Sequence, residues 1–301
     1  MKQNKLVIIM GATAIGKTDL SLKLAKHFQT EIISSDSRQF YKEMKIGTAV
    51  PTTVELEMIK HHFIQNRSVF DDYSVGDFER DAISKLNDLY KENNIVVMVG
   101  GSGLYVDAVL KGLDDFPDVD PAIREELKRE FLEEGIESLQ QKLKERDPVS
   151  FEKIDIDNKQ RLIRALEISI ATGKPFSSFL KKKKNRRNFL PIKIGITADR
   201  EIIYNRINKR VDQMIDDGLV KEALTLFPNK NLNALQTVGY RELFKYFEKG
   251  STLDFAISEI KKNTRRFAKR QGTWFRKDNE IKWFDFQEDK EVIIKHIEDN
   301  L

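Results

Sequence analysis

The chain has 301 residues, 40% of them hydrophobic and 33% charged, with a net charge of only +4. That length supports one large domain or two of ordinary size, and the balance is that of a folded globular protein rather than a disordered one. Cysteine is absent, which excludes disulfides and thiolate metal sites, and no apolar run approaches the ~20 residues of a membrane span.

Met1-Lys2-Gln3-Asn4-Lys5 leads into a strand, Leu6–Met10, with no signal-peptide pattern, so a cytoplasmic protein is expected. Gly11-Ala12-Thr13-Ala14-Ile15-Gly16-Lys17-Thr18 follows and opens a helix with Leu20, Leu24 and Phe28 on one side. This is the phosphate-loop pattern G-x-x-x-x-G-K-[ST] in the strand–helix context its mechanism needs. Gly11 and Gly16 let the backbone turn so that the N–H groups of residues 13 to 16 face an anion. The helix start adds its positive dipole end. Lys17 supplies a mobile point charge, and Thr18 offers a hydroxyl to Mg2+. The predicted diphosphate-binding set is Gly11, Thr13, Ala14, Ile15, Gly16, Lys17 and Thr18, with Thr18 as the metal-binding residue. The motif does not say which molecule carries the phosphate.

Glu31–Ser34 reads as a second strand, and Ser35–Tyr41 as the loop after it. Ligands in doubly wound sheets lie at the carboxyl ends of strands, which places Asp36 beside the phosphate loop; the lesser alternative is a turn or cap residue. Gly47-Thr48-Ala49 and Pro51 mark loops. The adjacent His61 and His62 point in different directions and lack a suitably spaced carboxylate, so they read as positioning or packing residues. A helix with Phe78, Ala82, Leu86, Leu89 and Tyr90 on one face is predicted within 77–92. Ile95–Val99 reads as a central parallel strand ending in Gly100-Gly101-Ser102-Gly103. A phosphate-loop NTPase ends such a strand in an aspartate. Glycines in that place are expected to admit a bulky ligand close to the backbone, and they argue against ordinary ATP hydrolysis.

The next stretch changes character and reads as a helical insertion. Asp120-Pro121 and Asp147-Pro148 are N-cap and first-turn pairs. Asn158–Thr172 is a helix with Leu162, Ala165, Leu166 and Ser169 on one side and Gly173 as its stop, and Arg161 and Arg164 are surface neighbours on it. The basic run Lys181–Lys184 with Arg186 and Arg187 is either a solvated loop or a phosphate-backbone contact. Residues 191–197 return to the sheet. Asp199 can cap the following helix, which carries Arg206 and Arg210 at i,i+4, placed to clamp a diphosphate or merely exposed. Residues 251–254 resemble a capping box. Residues 261–277 hold eight basic and no acidic residues, with Phe267, Trp274 and Phe275 interleaved. That suits a nucleic-acid backbone and unstacked bases, unless the aromatics are core and the charges merely solvated. A last strand is expected at 281–286 and a last helix at 292–297.

Together these motifs resemble the tRNA dimethylallyltransferase, or isopentenyltransferase, family. They are the phosphate loop, Asp36–Tyr41 with Gly47-Thr48-Ala49, His61-His62, Val99–Tyr105, Asn158–Glu167, Thr237–Glu242 and Thr264–Arg276, in order through nearly the whole chain. Ala12, Val50 and Phe267 stand where the family usually has proline, lysine and tyrosine. The resemblance implies an α/β fold: a phosphate-loop NTPase-like parallel sheet flanked by helices over 1–117 and 189–301, with a helical insertion domain at 118–188 contacting tRNA. It implies transfer of a dimethylallyl group from dimethylallyl diphosphate to N6 of the adenosine 3′ to the anticodon, with Mg2+ as cofactor and the tRNA anticodon stem-loop as partner.

The same resemblance places the catalytic roles on Asp36 as general base, Thr18 and Arg210. It places tRNA contacts at Asp36, Ser37, Arg38, Gln39, Ser102, Gln160, Arg161, Leu162, Ile163 and Arg164. A monomer is the default expectation. Three rivals differ in class or acceptor: an adenylate isopentenyltransferase acting on free AMP, ADP or ATP, a small-molecule kinase with a helical lid, and a non-catalytic RNA-binding protein that senses nucleotide.

Overall fold

A computed structural model describes residues 3–180 and 186–301. The chain divides into two compact units, residues 1–111 with 187–301, and residues 112–186, where 118–188 was the expected insertion.

Among its described residues the first unit carries six strands: β1 (Lys5–Gly11), β2 (Ile32–Ser34), β3 (His61–His62), β4 (Ile95–Gly100), β5 (Leu190–Thr197) and β6 (Lys282–Asp285). Their order is β3-β2-β4-β1-β5-β6, and every pairing is parallel. β1 lies at the centre, with Met10 opposite Gly100 of β4 and Gly11 opposite Ile196 of β5. Such a strand is covered on both faces, which is why Leu6–Met10 is uninterrupted apolar sequence. β3 lacks a sequence forecast because two residues are too few for any periodicity.

Among the described residues, the helices before the second unit are α1 (Lys17–His27), α2 (Thr53–Met58), α3 (Val75–Leu89) and α4 (Gly103–Lys111). Within the second unit lie α5 (Pro121–Glu134), α6 (Ile136–Arg146), α7 (Pro148–Lys153) and α8 (Lys159–Thr172). The first unit resumes with α9 (Arg200–Asp216), α10 (Leu219–Leu226), α11 (Tyr240–Phe247), α12 (Leu253–Phe275) and α13 (Lys290–Glu298).

Strand alternation sorts the sheet into two cores. Val7 and Ile9 join Leu20 and Leu24 of α1 and Ile293 and Ile297 of α13. Leu6, Ile8 and Met10 join Phe78 and Leu86 of α3, Val106 and Val109 of α4, and Phe275 of α12. A third cluster packs Phe40, Tyr41 and Met44, from the loop after β2, against Val211, Leu219, Tyr240, Leu243 and Ile260. Glu222 locks that loop: its carboxylate accepts from the backbone N–H groups of Lys45 (3.0 Å), Ile46 (2.8 Å) and Gly47 (2.9 Å) and from the Tyr240 hydroxyl (2.7 Å). A Cβ at Gly47 would lie 2.5 Å from that hydroxyl, so the close approach requires glycine.

The second unit has its own core of Leu127, Leu139, Leu143, Leu162, Ile163, Ala165 and Leu166. Asp120 and Asp147 cap α5 and α7, each followed by proline, and Asn158 caps α8 by accepting from the Arg161 N–H. Gly173 ends α8 in the left-handed region at φ 65°. Glu167 is only 2% exposed, yet it accepts two bonds from Arg124 (2.6 and 2.8 Å) and one from Arg164 (2.6 Å). Two capping expectations in the first unit are corrected. Asp199 occupies the N-cap of α9 without a side-chain bond, and α12 is capped by Thr252, accepting from the Phe255 N–H, in place of a box starting at Ser251.

Candidate active site

The phosphate loop leaves β1 through Gly11, at φ 150°, and enters α1 through Gly16, at φ 107°. Ala14 between them is also left-handed, at φ 63°, a conformation that costs an L-residue energy and is retained where surrounding structure imposes it. Ala12 and Ala14 rest on Ile207 of α9 and Ala268 of α12. The Lys17 ammonium folds back onto the loop and donates to the carbonyls of Gly11 (3.1 Å) and Ala12 (2.7 Å). Burial, and then the like charge of Arg210, lower its pKa to about 8, against a smaller opposing pull from Asp36.

α9 brings two arginines to the loop. Arg206 donates through Nε to the Ala14 carbonyl (2.7 Å), and Arg210 reaches the Thr13 hydroxyl (3.5 Å). Burial, with the neighbouring Arg206, pulls the Arg210 pKa below the usual guanidinium value. The Thr13 N–H, however, is occupied. It donates to Oε1 of Gln271 at 2.9 Å, so this amide, one of the backbone donors expected for an anion, is already engaged.

Asp36 is both a turn residue and a cavity residue. Its Oδ1 accepts from the N–H groups of Arg38 (2.9 Å) and Gln39 (3.3 Å), closing a turn after β2, and the residue lines a cavity of about 240 Å³. Lys17, Thr18, Gln39, His61 and Arg210 line the same cavity. Gln39 spends its amide N–H groups on the carbonyls of Thr48 (3.2 Å) and Ala49 (3.0 Å), and the Arg38 guanidinium donates to the Ser37 carbonyl (3.3 Å). Ser102 accepts from the Ser37 N–H (3.0 Å) and donates to the Ser37 hydroxyl (3.1 Å), tying the two loops together.

The glycines after β4 are required by close protein packing. A Cβ on Gly100 would lie 2.2 Å from the Ser35 hydroxyl, one on Gly101 2.2 Å from the Gln271 amide, and one on Gly103 2.3 Å from the Trp274 ring. Gly100 and Gly101 also line the cavity beside Asp36 and Lys17.

His61 donates through Nδ1 to the Ile59 carbonyl (2.7 Å), which leaves Nε2 as the acceptor; that atom is buried with no hydrogen-bond partner. Burial holds its pKa below the ordinary histidine value. His62 pairs with Glu31. The two side chains thus have different partners, as their adjacency on a strand requires.

The expected RNA contacts in the second unit divide. Gln160 and Arg161 are exposed on α8. Arg164 is partly exposed, paired with Glu167, with its guanidinium over the Phe116 ring. Leu162 and Ile163 are 0% and 2% exposed in that unit's core, so their side chains cannot face RNA; this corrects the expected set.

On α12 the basic run is partly neutralised, Lys261 by Asp212 and Lys262 by Glu259. Arg266, Lys269, Arg270, Arg276 and Lys277 are exposed, as are Phe267 and Trp274, whereas Phe275 is core. Lys181–Lys184 and Asn185 lie outside the described residues. Arg187 is no surface cation: it donates to Glu79 (2.6 Å) and the Ala108 carbonyl (2.7 Å).

Among the described residues no group of three or more histidines or carboxylates could hold a metal by itself. Thr18 and Asp36 do share the cavity. Such a donor set fits Mg2+ that keeps its waters and takes its other ligands from a diphosphate.

A phosphate loop on a parallel sheet, with two arginines and a carboxylate converging on it, defines a transferase-type site for a phosphorylated donor. The IPP transferase family model matches residues 39–278. The chain is 62% identical to the tRNA dimethylallyltransferase of Christiangramia forsetii over 298 residues, 99% of both chains. It is 58% identical to that of Flavobacterium johnsoniae over 302 residues, 98% of both. The crystal structure of the full-length tRNA isopentenylpyrophosphate transferase of Bacillus halodurans superposes with a TM-score of 0.72 at 38% identity, covering 99% of this chain and 95% of that one. A eukaryotic dimethylallyltransferase acting on tRNA superposes at 0.79 with 25% identity, over 94% of this chain and 74% of that one. The chain belongs to the IPP transferase family, and its relatives are tRNA dimethylallyltransferases.

Proposed function

We propose that this enzyme transfers a dimethylallyl group from dimethylallyl diphosphate to N6 of the adenosine 3′ to the anticodon of tRNA. The observation that supports it most is the convergence, in one cavity, of a phosphate loop with the carboxylate of Asp36 and with Arg210, at the end of a strand lacking the NTPase aspartate.

The exocyclic amine of adenine is a weak nucleophile, its lone pair delocalised into the ring. As N6 bonds to the allylic carbon, the C–O bond to diphosphate breaks and its electron pair leaves with the diphosphate. Asp36 accepts the N6 proton. Its Oδ1 is held by two backbone N–H groups, which fixes the carboxylate and leaves the second oxygen for the proton. Lys17, Arg210, the Thr13 hydroxyl and the Ala14–Gly16 backbone stabilise charge growing on the leaving group. Mg2+ held by Thr18 would add Lewis-acid neutralisation of the diphosphate. No P–O bond is cleaved, so the aspartate of an NTPase is dispensable.

An adenosine inside a structured loop does not present N6 freely, so the base leaves its stack to reach Asp36. Arg161, Gln160 and the exposed cations of α12 contact tRNA phosphates, and Phe267 and Trp274 offer faces to unstacked bases. The test is a labelled-donor assay run in parallel on unmodified tRNA and on AMP. Label on tRNA alone fits the proposal. Label on AMP alone would move the enzyme to free-nucleotide transfer.

A further inference from the structure

Gln271 is 6% exposed and makes two hydrogen bonds across the chain. Its Oε1 accepts from the Thr13 N–H of the phosphate loop (2.9 Å), and its Nε2 donates to the Gly101 carbonyl of the turn after β4 (2.9 Å). The amide has one workable orientation, since a flip would set donor against donor and acceptor against acceptor. Its neighbours on α12 act on the same two loops. Ala268, one turn earlier, packs on Ala12 and Ala14. Trp274 covers Gly103 and donates through Nε1 to Asp107 (3.0 Å).

The two loops carry opposite halves of the reaction. The phosphate loop holds the donor. The turn is bound through Ser102 to Ser37, next to Asp36. We propose that Gln271 is a positioning residue that sets the separation of donor and acceptor by bridging the phosphate loop to the Gly101 turn. The proposal rests on the transfer reading above. It also explains why Gly101 admits no side chain, because a Cβ there would displace the bridging amide.

A misplacement of about 1 Å between reacting groups costs on the order of 100-fold in rate. Gln271→Met keeps the side chain's length and apolar fit but loses both bonds. Its single-turnover rate in a preformed ternary complex is expected to fall on that scale, with affinities for donor and tRNA retained. Gly101→Ala is expected to give the same loss, and the double variant little more, because the two changes break one bridge.

Gln271→Glu supplies the readout that a merely structural role does not. A protonated acid reproduces the bridge, its O–H donating to Gly101 and its C=O accepting from Thr13; the carboxylate cannot donate to the carbonyl. Its rate relative to wild type at the same pH should therefore rise as pH falls from about 8 toward about 5.5, through the range where a buried carboxylic acid regains its proton. The ratio removes any pH dependence common to both proteins.

A wild-type rate in Gln271→Met would overturn the proposal. So would a parallel loss of rate, both affinities and melting temperature, or a Gln271→Glu ratio independent of pH. If the wild type transfers nothing to tRNA, the transfer reading fails by itself. The bridge is then judged by hydrogen exchange of the Thr13 amide, slow in wild type and fast in Gln271→Met if it exists, and equally slow in both if it does not.

Discussion

At the scale of single residues, the roles proposed for Asp36 and Lys17 each make a separable prediction. Asp36→Asn keeps an oxygen to accept from Arg38 and Gln39, so the turn after β2 survives while the proposed proton acceptor is lost. Turnover is expected to fall about 10²- to 10⁴-fold with tRNA affinity nearly unchanged. Parallel loss of binding, measured by filter retention, would make Asp36 a structural residue. Lys17 has a depressed pKa, about 8 in the free enzyme. A bound diphosphate stabilises its charged form. Donor affinity therefore holds below that value and weakens as pH rises through it, and binding above it takes up protons. Calorimetry with dimethylallyl diphosphate in two buffers of different ionisation heat reads that uptake directly. An affinity flat to about pH 9.5 would show that Lys17 keeps its proton without the ligand.

At the scale of elements, the Glu222 latch and helix α8 are the informative cases. Glu222 satisfies three backbone donors and the Tyr240 hydroxyl, and the loop it holds presents Thr48 and Ala49 to the cavity. Tyr240→Phe removes one of these bonds without a cavity and is expected to cost about 1 kcal/mol in denaturant unfolding. Glu222→Ala strands several donors and costs more, about 2–3 kcal/mol, with a raised donor KM because the loop loosens. On α8, Arg161 is exposed while Arg164 is engaged by Glu167. Arg161→Ala should weaken tRNA binding and reduce the slope of log affinity against log salt by about one; an unchanged slope would deny a phosphate contact. Glu167 adds a pH term. Burial alone would raise its pKa, but the bonds from Arg124 and Arg164 outweigh it and leave it lowered. Its contribution to stability is present above the unfolded carboxylate value of about 4.3 and is lost as pH falls through the lower folded value.

Across the whole molecule, what could be read in the sequence followed the range of the interaction. β1, the phosphate loop and α1 are contiguous, and so are Asn158 and Gly173 with the helix they bound; local rules sufficed for them. Periodicity placed Leu162 on the buried side of α8, which the structure bears out, although it also stood among the expected RNA contacts. Interactions between distant segments had no local signal. Gln271 meets Thr13 across 258 positions, and Glu222 meets Lys45 across 177. The partners that take Arg187, Lys261 and Lys262 out of the basic clusters were invisible for a related reason, since two of the three carboxylates come from other elements. The central claim concerns what these parts do together: one prenyl group moved onto one adenosine. The most direct test is to incubate the enzyme with Mg2+, dimethylallyl diphosphate and an unmodified tRNA carrying adenosine after its anticodon, then digest the RNA and map masses. A single added C5H8 unit on that adenosine is expected, formed about 10²- to 10⁴-fold more slowly with Asp36→Asn. An unmodified RNA, or a prenyl group at another nucleotide, would contradict it.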